Sequence, residues 1–334
     1  MKKLYLISND KIWVSEKNYT SNNDLNNILS CLSSEYEVDL ISRQSSEKFD
    51  YLINEKLNFC VIKNIEKKDL NILMISITPF NFFSFIKLIL FKKKIKGFVF
   101  LRSDGFLEYR IRYGFIGYFL YFIMFHLIKK KLKIIAVSNT FNHTTVQNIL
   151  HLSELTDDWF VRTKNNEKIE TDFLHVGRFK KEKGIYYLIK IFKEYFSQYQ
   201  LTIAGTEKKL IDKKYFNKNI HFIAPIIRSQ DLINLYDSCR IFILPSYTEG
   251  FPKVISEALA RLKPIIIFEE IKHVVNDREG IFVCKRNEKN IRETINYILK
   301  NYKEIQEKII NNKFYTKNDF KTELLDTIKD EFAN

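Results

Sequence analysis

The sequence predicts an α/β protein with two doubly wound domains, each built on a parallel sheet. Short apolar runs alternate with stretches of helical periodicity along the 334 residues. Such alternation predicts parallel strands with helices on both faces of the sheet. Runs as continuous as ILMISI at 72–77 are typical of strands that are buried on both faces. The length also exceeds one ordinary domain of about 100–200 residues.

The first half contains six predicted strands with helical stretches between most of them. They cover residues 3–8, 37–42, 58–63, 71–78, 97–102 and 133–138. The polar run TKNNEKIE at 163–170 follows, and its lack of apolar periodicity is typical of a linker. We therefore predict a first domain over residues 1–165.

The alternation resumes after this linker. Strands are predicted at 172–176, 201–204, 220–224, 240–244 and 264–268, and helices at 185–196, 208–216, 230–238 and 253–262. The residues from 288 onward are mostly helical in pattern. Two doubly wound domains commonly bind a ligand in a cleft outside the carboxyl ends of their strands.

Composition narrows the class of protein. The net charge is +14 and 46% of the residues are apolar, which excludes general disorder. The charge suggests an anionic partner, unless it reflects a compositional habit of the source. The four scattered cysteines form no CxxC pair, which argues against a zinc knuckle or a disulfide framework. The N-terminal apolar run is too short for a signal peptide, and no apolar run reaches the about 20 residues of a transmembrane helix.

The segment GRFKKEKG at 177–184 connects a predicted strand to a predicted helix. Gly177 permits a tight exit from the strand, and Arg178 and Lys183 flank the loop before the helix. Basic side chains beside a helix N-terminus form an anion site, and arginine can bind two phosphate oxygens at once. The segment therefore indicates a phosphate site, although a solvated basic turn would show the same pattern.

The segment SYTEGFPKVISEALA at 246–260 carries two carboxylates. Glu249 lies in the loop after a predicted strand, and Pro252 suits the first position of a helix. The first backbone N–H groups of that helix could meet an anion, and a carboxylate accepts hydrogen bonds from paired sugar hydroxyls. The alternative is that Glu249 only complements the helix dipole and that Glu257 is an exposed helix residue.

These motifs together resemble the family 4 glycosyltransferases, a retaining, nucleotide-sugar-dependent family with the GT-B fold. The resemblance covers residues 171–285 and includes G-R-x4-K-G at 177–184, LTIAG at 201–205 and P-S-x-x-E-G-F-P with an E-x7-E element at 245–257. It implies two Rossmann-like domains facing each other across a cleft. The donor would bind to residues 166–315, and a final helix at 316–334 would cross back to the first domain.

The resemblance also implies the roles of individual residues. Arg178 and Lys183 match the basic pair that binds the donor diphosphate. Glu249 matches the carboxylate that contacts the donor sugar, and Glu257 matches the one that holds the nucleotide ribose. The implied donor-binding set is Gly177, Arg178, Lys183, Glu249, Gly250, Phe251, Pro252, Lys253, Val254 and Glu257. No metal and no cofactor are expected, because fixed positive groups would stabilise the departing diphosphate.

The chain departs from the family pattern in three places. Residues 9–24 contain no glycine, whereas the family usually has a glycine-rich loop after the first strand. Thr206 follows LTIAG where a second glycine is usual, and Lys263 stands where a glycine often precedes the proline. The first departure concerns acceptor or phosphate contacts of that loop. The missing glycines favour the alternative of a catalytically degenerate scaffold subunit, whereas the intact set of Arg178, Lys183, Glu249 and Glu257 argues against it.

The first domain offers one candidate for catalysis on the acceptor side. Asp104 follows the strand at 97–102 at its carboxyl end, where it could assist the acceptor hydroxyl. The alternative is a turn residue or a helix cap. His126, inside an apolar helical run, is expected to be a core histidine.

Two apolar segments of the first domain end in lysine clusters. They are FNFFSFIKLILFKKKIKG at 80–97 and YGFIGYFLYFIMFHLIKKKLK at 113–133. Each could lie at a membrane interface with its lysines near anionic lipid, or could be a buried helix that covers the sheet. No nucleic-acid-binding motif accompanies the charge, so nucleic acid is not an expected partner.

The expected activity is that of a hexosyltransferase-type glycosyltransferase that retains the anomeric configuration and needs no metal. It would transfer a sugar from a nucleotide-sugar to a glycan or lipid-linked acceptor during synthesis of a bacterial surface polysaccharide, lipopolysaccharide or glycolipid. We expect it in the cytoplasm, peripheral on the inner face of the cell membrane. The alternatives are a cytosolic transferase with a soluble acceptor and the degenerate scaffold subunit.

Overall fold

The computed structural model describes residues 2–15, 19–49, 51–53, 58–59, 70–90, 94–138, 146–160 and 169–333. They form two compact units. Unit 1 comprises Met1–Leu152 and Asn318–Asn334, and unit 2 comprises Ser153–Lys317. Unit 2 begins earlier in the chain than the predicted boundary, because Leu155 and Trp159 are buried in its core. Most of the predicted linker lies outside the described residues.

Unit 1 is an α/β unit whose described strands largely match the predicted ones. Its elements are β1 (Lys2–Val14), β2 (Tyr19–Ser21), α1 (Asn23–Ser33), β3 (Tyr36–Gln44), β4 (Tyr51–Ile53), β5 (Asn58–Phe59), β6 (Leu70–Ile75), α2 (Pro79–Ile89), β7 (Ile95–Leu101), α3 (Gly105–Lys129), β8 (Lys133–Ala136) and β9 (Asn148–Ile149). β1 pairs in parallel with β3 and β6, and the sheet continues through β7 and β8 to β9. β1 is longer than predicted because its end forms an antiparallel ribbon with β2.

The C-terminal helix α9 (Lys317–Ala333) completes the core of unit 1. Phe320 and Phe332 are buried. Their ring centroids lie 6.3 Å from that of Phe100 and 6.5 Å from that of Phe98, both on β7. The residues predicted to return to the first domain therefore cover one face of its sheet.

Helix α3 changes direction sharply at Gly114. This residue has φ 67° and ψ −152°, a conformation open essentially to glycine only. The rings of Phe106 and Phe125 lie 5.1 Å apart, whereas a straight helix would separate these residues by about 28 Å. The described part of the chain contains one helix, α3, that is long and apolar enough to cross a membrane, where the sequence predicted none. The reversal divides this helix into two arms, 105–113 and 115–129, that pack against each other.

Unit 2 contains the second parallel sheet. Its elements are β10 (Thr171–Val176), α4 (Ile185–Tyr195), β11 (Leu201–Ala204), β12 (Ile220–Ile223), α5 (Ser229–Asp237), β13 (Cys239–Leu244), α6 (Lys253–Ala260), β14 (Ile265–Phe268), β15 (Ile281–Cys284), α7 (Glu288–Lys300) and α8 (Tyr302–Ile309). The strand order is β12-β11-β10-β13-β14-β15. The chain moves outward from β10 to β12 and then returns to β13, so the strand order reverses between β10 and β13. Ligands of doubly wound sheets bind at this switch point.

The predicted helix at 208–216 is wrong. The structure has two separate 3-10 turns there, Lys208–Leu210 and Lys213–Tyr215. Between them the Asp212 carboxylate accepts a hydrogen bond from the backbone N–H of Lys214 at 3.0 Å. Short aspartate side chains compete in this way with helical hydrogen bonds and favour turns.

Candidate functional site

The candidate site lies where β10 and β13 end, at the switch point of unit 2. Gly184, at the end of the basic loop, has φ 67°, and an added Cβ atom would lie 1.8 Å from the carbonyl oxygen of Pro245. Only glycine therefore allows the loop after β10 to approach the end of β13 so closely. This contact brings the GRFKKEKG and SYTEGFP segments together.

An ion pair joins the two segments. Lys183 Nζ lies 2.7 Å from Oε1 of Glu249, and both side chains are mostly buried. The hydroxyl of Ser246 donates a hydrogen bond to the same carboxylate oxygen at 2.6 Å. Two residues that the family resemblance assigns to the diphosphate and to the sugar are thus in direct contact in the free protein.

The backbone around Glu249 is fixed from two further segments. His273, in the 3-10 segment Glu269–Val275, places its Nε2 atom 2.8 Å from the carbonyl oxygen of Glu249. The backbone N–H of Tyr247 donates to the carbonyl oxygen of Glu182 at 2.9 Å. These contacts hold the carboxylate at one position at the mouth of the switch point.

Arg286 clamps the end of β13. Its Nη2 atom donates to the carbonyl oxygens of Pro245 and Ser246, both at 2.8 Å. Its guanidinium carbon lies 4.1 Å from the ring centroid of Tyr247 and 4.3 Å from that of Phe268, and such stacking on aromatic faces favours a guanidinium group. The family motif does not include Arg286 or His273, and the sequence gives no local signal for either, because both contacts are long-range.

Arg178 differs from Lys183 in its surroundings. Its side chain is exposed, and its guanidinium group makes no hydrogen bond or ion pair with any other described residue. The loop beside it is held instead by Thr206, whose hydroxyl oxygen accepts the backbone N–H of Phe179 at 3.1 Å. Thr206 therefore supports the loop at the position where the family usually has a glycine. The guanidinium of Arg178 could therefore bind an anion without breaking a contact to a described residue.

Glu257 is buried, so the alternative of an exposed helix residue is wrong. Its exposed fraction is 8%, and its Oε2 atom accepts a hydrogen bond from the hydroxyl of Tyr236 at 2.8 Å. Burial, followed by the neighbouring carboxylate, raises the pKa of Tyr236 well above its ordinary value, so this hydroxyl stays protonated as a donor. Glu257 is thereby oriented on the inward face of α6, whose N-cap Pro252 supplies no side-chain hydrogen bond.

The remaining predicted residues have separate surroundings. The ammonium group of Lys253 pairs with the carboxylate of Glu154. The ring of Phe251 lies 5.7 Å from the guanidinium carbon of Arg278, and burial lowers the pKa of that arginine to about 10. Gly250 precedes Phe251 in the loop, and Val254 lies in the first turn of α6. The predicted donor-binding residues at 249–254 therefore lie along the loop after β13 and the first turn of α6.

Two expectations about unit 1 have different outcomes. The carboxylate of Asp104 accepts the backbone N–H of Leu107 at 3.1 Å and caps α3. This contact matches the helix-cap alternative, and a catalytic role for Asp104 stays a prediction. The expectation that His126 is a core histidine is wrong. The side chain is exposed, because the second arm of α3 turns this face outward, and its ring centroid lies 4.0 Å from that of Phe122.

His175 lies beneath the anion loop and was not predicted. It is fully buried on β10, and its Nδ1 atom lies 3.1 Å from the carbonyl oxygen of Ile243. Its Nε2 atom has no hydrogen-bond partner among the described residues. An added Cβ atom on Gly177 would lie 2.9 Å from Nε2, so the ring supports the turn from inside. A histidine within the apolar run FLHV is the signal that could have identified it.

The buried His175 makes stability depend on pH. Burial, and then the charge of Lys183, lowers the pKa of His175 to about 4 from 6.5. Between these values the unfolded chain binds a proton that the folded chain does not, so the free energy of unfolding falls as the pH falls. We expect a loss of about 2–3 kcal/mol from this residue between pH 7.5 and about pH 4.5.

Urea unfolding of the wild type and of His175→Phe at both pH values measures this contribution. Other titrating groups act equally in the two proteins, so the difference between their pH dependences isolates His175. Identical pH dependences would show that the folded chain does not hold this imidazole in its neutral form.

Comparison with known proteins relates this geometry to known folds. Residues 157–314 match the family described as Glycosyl transferases group 1. The sucrose-phosphate synthase of Thermosynechococcus elongatus superposes on this chain with a TM-score of 0.70 at 14% identity, over 100% of both chains. The chain has the GT-B fold. The two Rossmann-like units are the two domains of that fold.

Two bacterial relatives match parts of this GT-B chain. The capsular polysaccharide biosynthesis glycosyltransferase CapM of Staphylococcus aureus is 33% identical over 138 residues, which are 37% of this chain and 36% of CapM. The N,N'-diacetylbacillosaminyl-diphospho-undecaprenol alpha-1,3-N-acetylgalactosaminyltransferase of Campylobacter jejuni is 34% identical over 76 residues, which are 22% of this chain and 20% of that enzyme. The matched segments thus span about a third of the length of CapM and a fifth of the length of the Campylobacter jejuni enzyme.

Proposed function

We propose that the protein is a retaining glycosyltransferase that transfers a hexose from a nucleotide-sugar donor to a glycan or lipid-linked acceptor. The observation that carries the proposal is the Lys183–Glu249 ion pair at the switch point of a parallel sheet, on the same loop that carries Arg178. These residues lie within the part of the chain that matches the group 1 glycosyl transferases. In the proposed complex, the diphosphate binds to the positive charge of this pair and the sugar to the negative charge.

Each group has a role in the proposed reaction. Arg178 binds two oxygens of the donor diphosphate, and Lys183 moves from Glu249 to the same diphosphate as its negative charge grows. Fixed positive groups stabilise the transition state more than the ground state, because the leaving group gains charge as the bond to the sugar breaks. Glu249, released from Lys183, accepts hydrogen bonds from the sugar hydroxyls, and Glu257 accepts them from the ribose.

The acceptor and the stereochemistry form the second part of the proposal. The acceptor oxygen bonds to the anomeric carbon on the face that the diphosphate leaves, which retains the configuration. Asp104 is the candidate group for assisting the acceptor hydroxyl. CapM is named for capsular polysaccharide biosynthesis and the Campylobacter jejuni relative for a lipid-diphosphate acceptor. These names support an acceptor used in the synthesis of a bacterial surface polysaccharide or glycolipid.

We also propose that catalysis needs neither a metal nor a cofactor. Arg178, Lys183 and the N-terminus of α6 together supply positive charge where the diphosphate would bind. Turnover should therefore be unchanged in excess EDTA, and activity that returns only on addition of magnesium or manganese would contradict this part of the proposal.

The location of the protein is a separate proposal. We propose that it is cytoplasmic and peripheral on the inner face of the cell membrane, where a lipid-linked acceptor would be reached. The exposed apolar residues of unit 1, such as Phe115 and Ile116, support this location. A cytosolic enzyme with a soluble acceptor is the alternative.

A thermal-shift panel against UDP, GDP, ADP and CMP tests the donor site. A ligand at 100 times its dissociation constant stabilises the folded state by about 2.7 kcal/mol. We expect stabilisation by one nucleotide and its loss in Arg178→Ala and in Glu257→Ala. Arg228→Ala, at an exposed ion pair on the same unit, is the matched control and should keep the shift. A folded sample that responds to none of the four nucleotides would favour the scaffold alternative.

A further inference from the structure

The second arm of α3 has an unusual outer face. Residues 115, 116, 119, 120, 122, 123 and 127 are large, apolar and exposed, whereas residues 117, 121, 124, 125 and 128 of the same arm are buried. The exposed positions recur at the spacing of a helix face, so they form one continuous apolar surface. Single exposed apolar residues are common, but a continuous surface of this kind marks an interaction site.

The reversal at Gly114 carries this surface to a protruding end. Phe115 and Ile116, which follow the turn, are 79% and 72% exposed. No atom lies within 4 Å of the position that a Cβ atom on Gly114 would take. An added Cβ on Gly117 would lie 2.4 Å from the carbonyl oxygen of Tyr109, so the two arms pack closely against each other. Nothing in the described part of unit 1 covers the turn.

Helix α2 extends the same type of surface. Phe83 on α2, which lies beside α3, and Leu90 at the C-cap of α2 are 60% and 70% exposed. Two neighbouring helical segments of unit 1 therefore carry exposed apolar residues.

Charge identifies the partner that fits this surface. Lys129, Lys130 and Lys131 are exposed at the end of the second arm, and Arg110 is exposed on the first arm. An apolar helix face with basic residues at its ends matches a lipid surface that carries anionic headgroups. A self-association surface would not need a cluster of like charges that two copies would bring together.

The length of the second arm of α3 indicates whether it crosses a bilayer or lies on its surface. The second arm, 115–129, is about 22 Å long, which is shorter than the hydrocarbon core of a bilayer at about 30 Å. Its inner face is also committed to the core of unit 1, where the ring of Phe125 contacts that of Phe106. By length and composition, α3 as a whole could cross a membrane. Its two folded arms, however, do not form one straight helix.

We propose that the second arm of α3 lies in the plane of an anionic membrane surface and attaches unit 1 to it without crossing the bilayer. Phe115 and Ile116 enter the lipid most deeply, and the lysines at 129–131 contact headgroups. This inference deepens the proposed peripheral location. Its test uses neither a donor nor an acceptor, so it can fail while the transferase proposal holds, and the reverse is also true.

Vesicle flotation of the full chain tests the surface. The probes are vesicles of phosphatidylcholine alone and of phosphatidylcholine mixed with phosphatidylglycerol. We expect Phe115→Ser combined with Ile116→Ser to lower the partition coefficient at least about tenfold. Lys129→Gln, Lys130→Gln and Lys131→Gln should each lower it about fivefold, and only for the anionic vesicles. The control is Tyr297→Ser combined with Ile310→Ser, because these large residues of unit 2 are also exposed, at 53% and 52%.

Depth is measured with a tryptophan probe. The tryptophan fluorescence of Ile116→Trp should be quenched more strongly by lipids brominated close to the headgroup than by lipids brominated close to the terminal methyl group of the acyl chain. The fluorescence of Ile310→Trp should not be quenched. Strongest quenching at the bilayer centre would indicate a crossing helix and overturn the in-plane arrangement. Flotation that is equal for the wild type and the serine variant would overturn the surface itself. A wild-type dimer that becomes monomeric in the serine variant, without vesicle binding, would assign the surface to a second copy of the chain.

Discussion

Replacement of Lys183 by alanine is expected to lower kcat for sugar transfer by about 10²–10³-fold, because one fixed group that stabilises the departing diphosphate is lost. Glu249→Gln should also lose turnover, since the sugar then has no carboxylate to bind. The two variants should differ in nucleotide affinity. Glu249 now holds the ammonium group of Lys183 at 2.7 Å, so it competes with the diphosphate for that charge.

Calorimetric titration of the nucleoside diphosphate identified by the thermal-shift panel measures the difference. The dissociation constant should rise for Lys183→Ala and fall for Glu249→Gln. Ser246→Ala is the matched control, because it removes the 2.6 Å hydrogen bond to the carboxylate and keeps both charges. Equal weakening of binding by Lys183→Ala and Glu249→Gln would show that the carboxylate belongs to the nucleotide site and is not its competitor.

Gly184→Ala is expected to lower the free energy of unfolding of unit 2 by about 3–5 kcal/mol, from backbone strain together with overpacking. The φ of 67° strains any side chain, and the new Cβ atom would lie 1.8 Å from the carbonyl oxygen of Pro245. Relief of that contact requires the loop after β10 to move away from the end of β13. Nucleotide binding should therefore be lost together with stability.

Gly114→Ala distinguishes the energetic cost of backbone strain from that of a steric clash. Gly114 has the same φ of 67°, but no atom lies within 4 Å of the position of its added Cβ, so the cost is backbone strain of about 1–3 kcal/mol. Amide hydrogen exchange measures the free energy of unfolding of each unit separately. A cost at Gly184 no larger than that at Gly114 would contradict the close approach of the loop to the end of β13.

The parallel sheets could be predicted because their strands carry local signals. The run LTIA at 201–204 is apolar throughout, and β11 has those bounds. The motif residues Lys183 and Glu249 could be predicted as one site because the carboxyl ends of neighbouring parallel strands meet at one edge of a sheet. Their ion pair could not be predicted, because the local sequence around each residue is equally compatible with a solvated charge that has no partner.

Features that depend on packing between distant segments were missed. Composition shows that the second arm of α3 is apolar, but not which half of it faces the core. The exposure of His126 and the reversal at Gly114 depend on contacts such as Phe106 with Phe125. The burial of Glu257 depends in the same way on the hydroxyl of Tyr236 on another helix. In each case a favourable tertiary contact decides between arrangements that the local sequence leaves equal.

Arg286 follows β15, the edge strand of the unit 2 sheet, yet it holds the two carbonyl groups that precede the loop of Glu249. The edge of a sheet opens more readily than its centre in native-state fluctuations. We expect detachment of β15 to loosen the clamp on Pro245 and Ser246, while the central strands stay paired. The order of the segment that leads to Glu249 would then depend in part on the opening equilibrium of a strand that does not itself reach the candidate site.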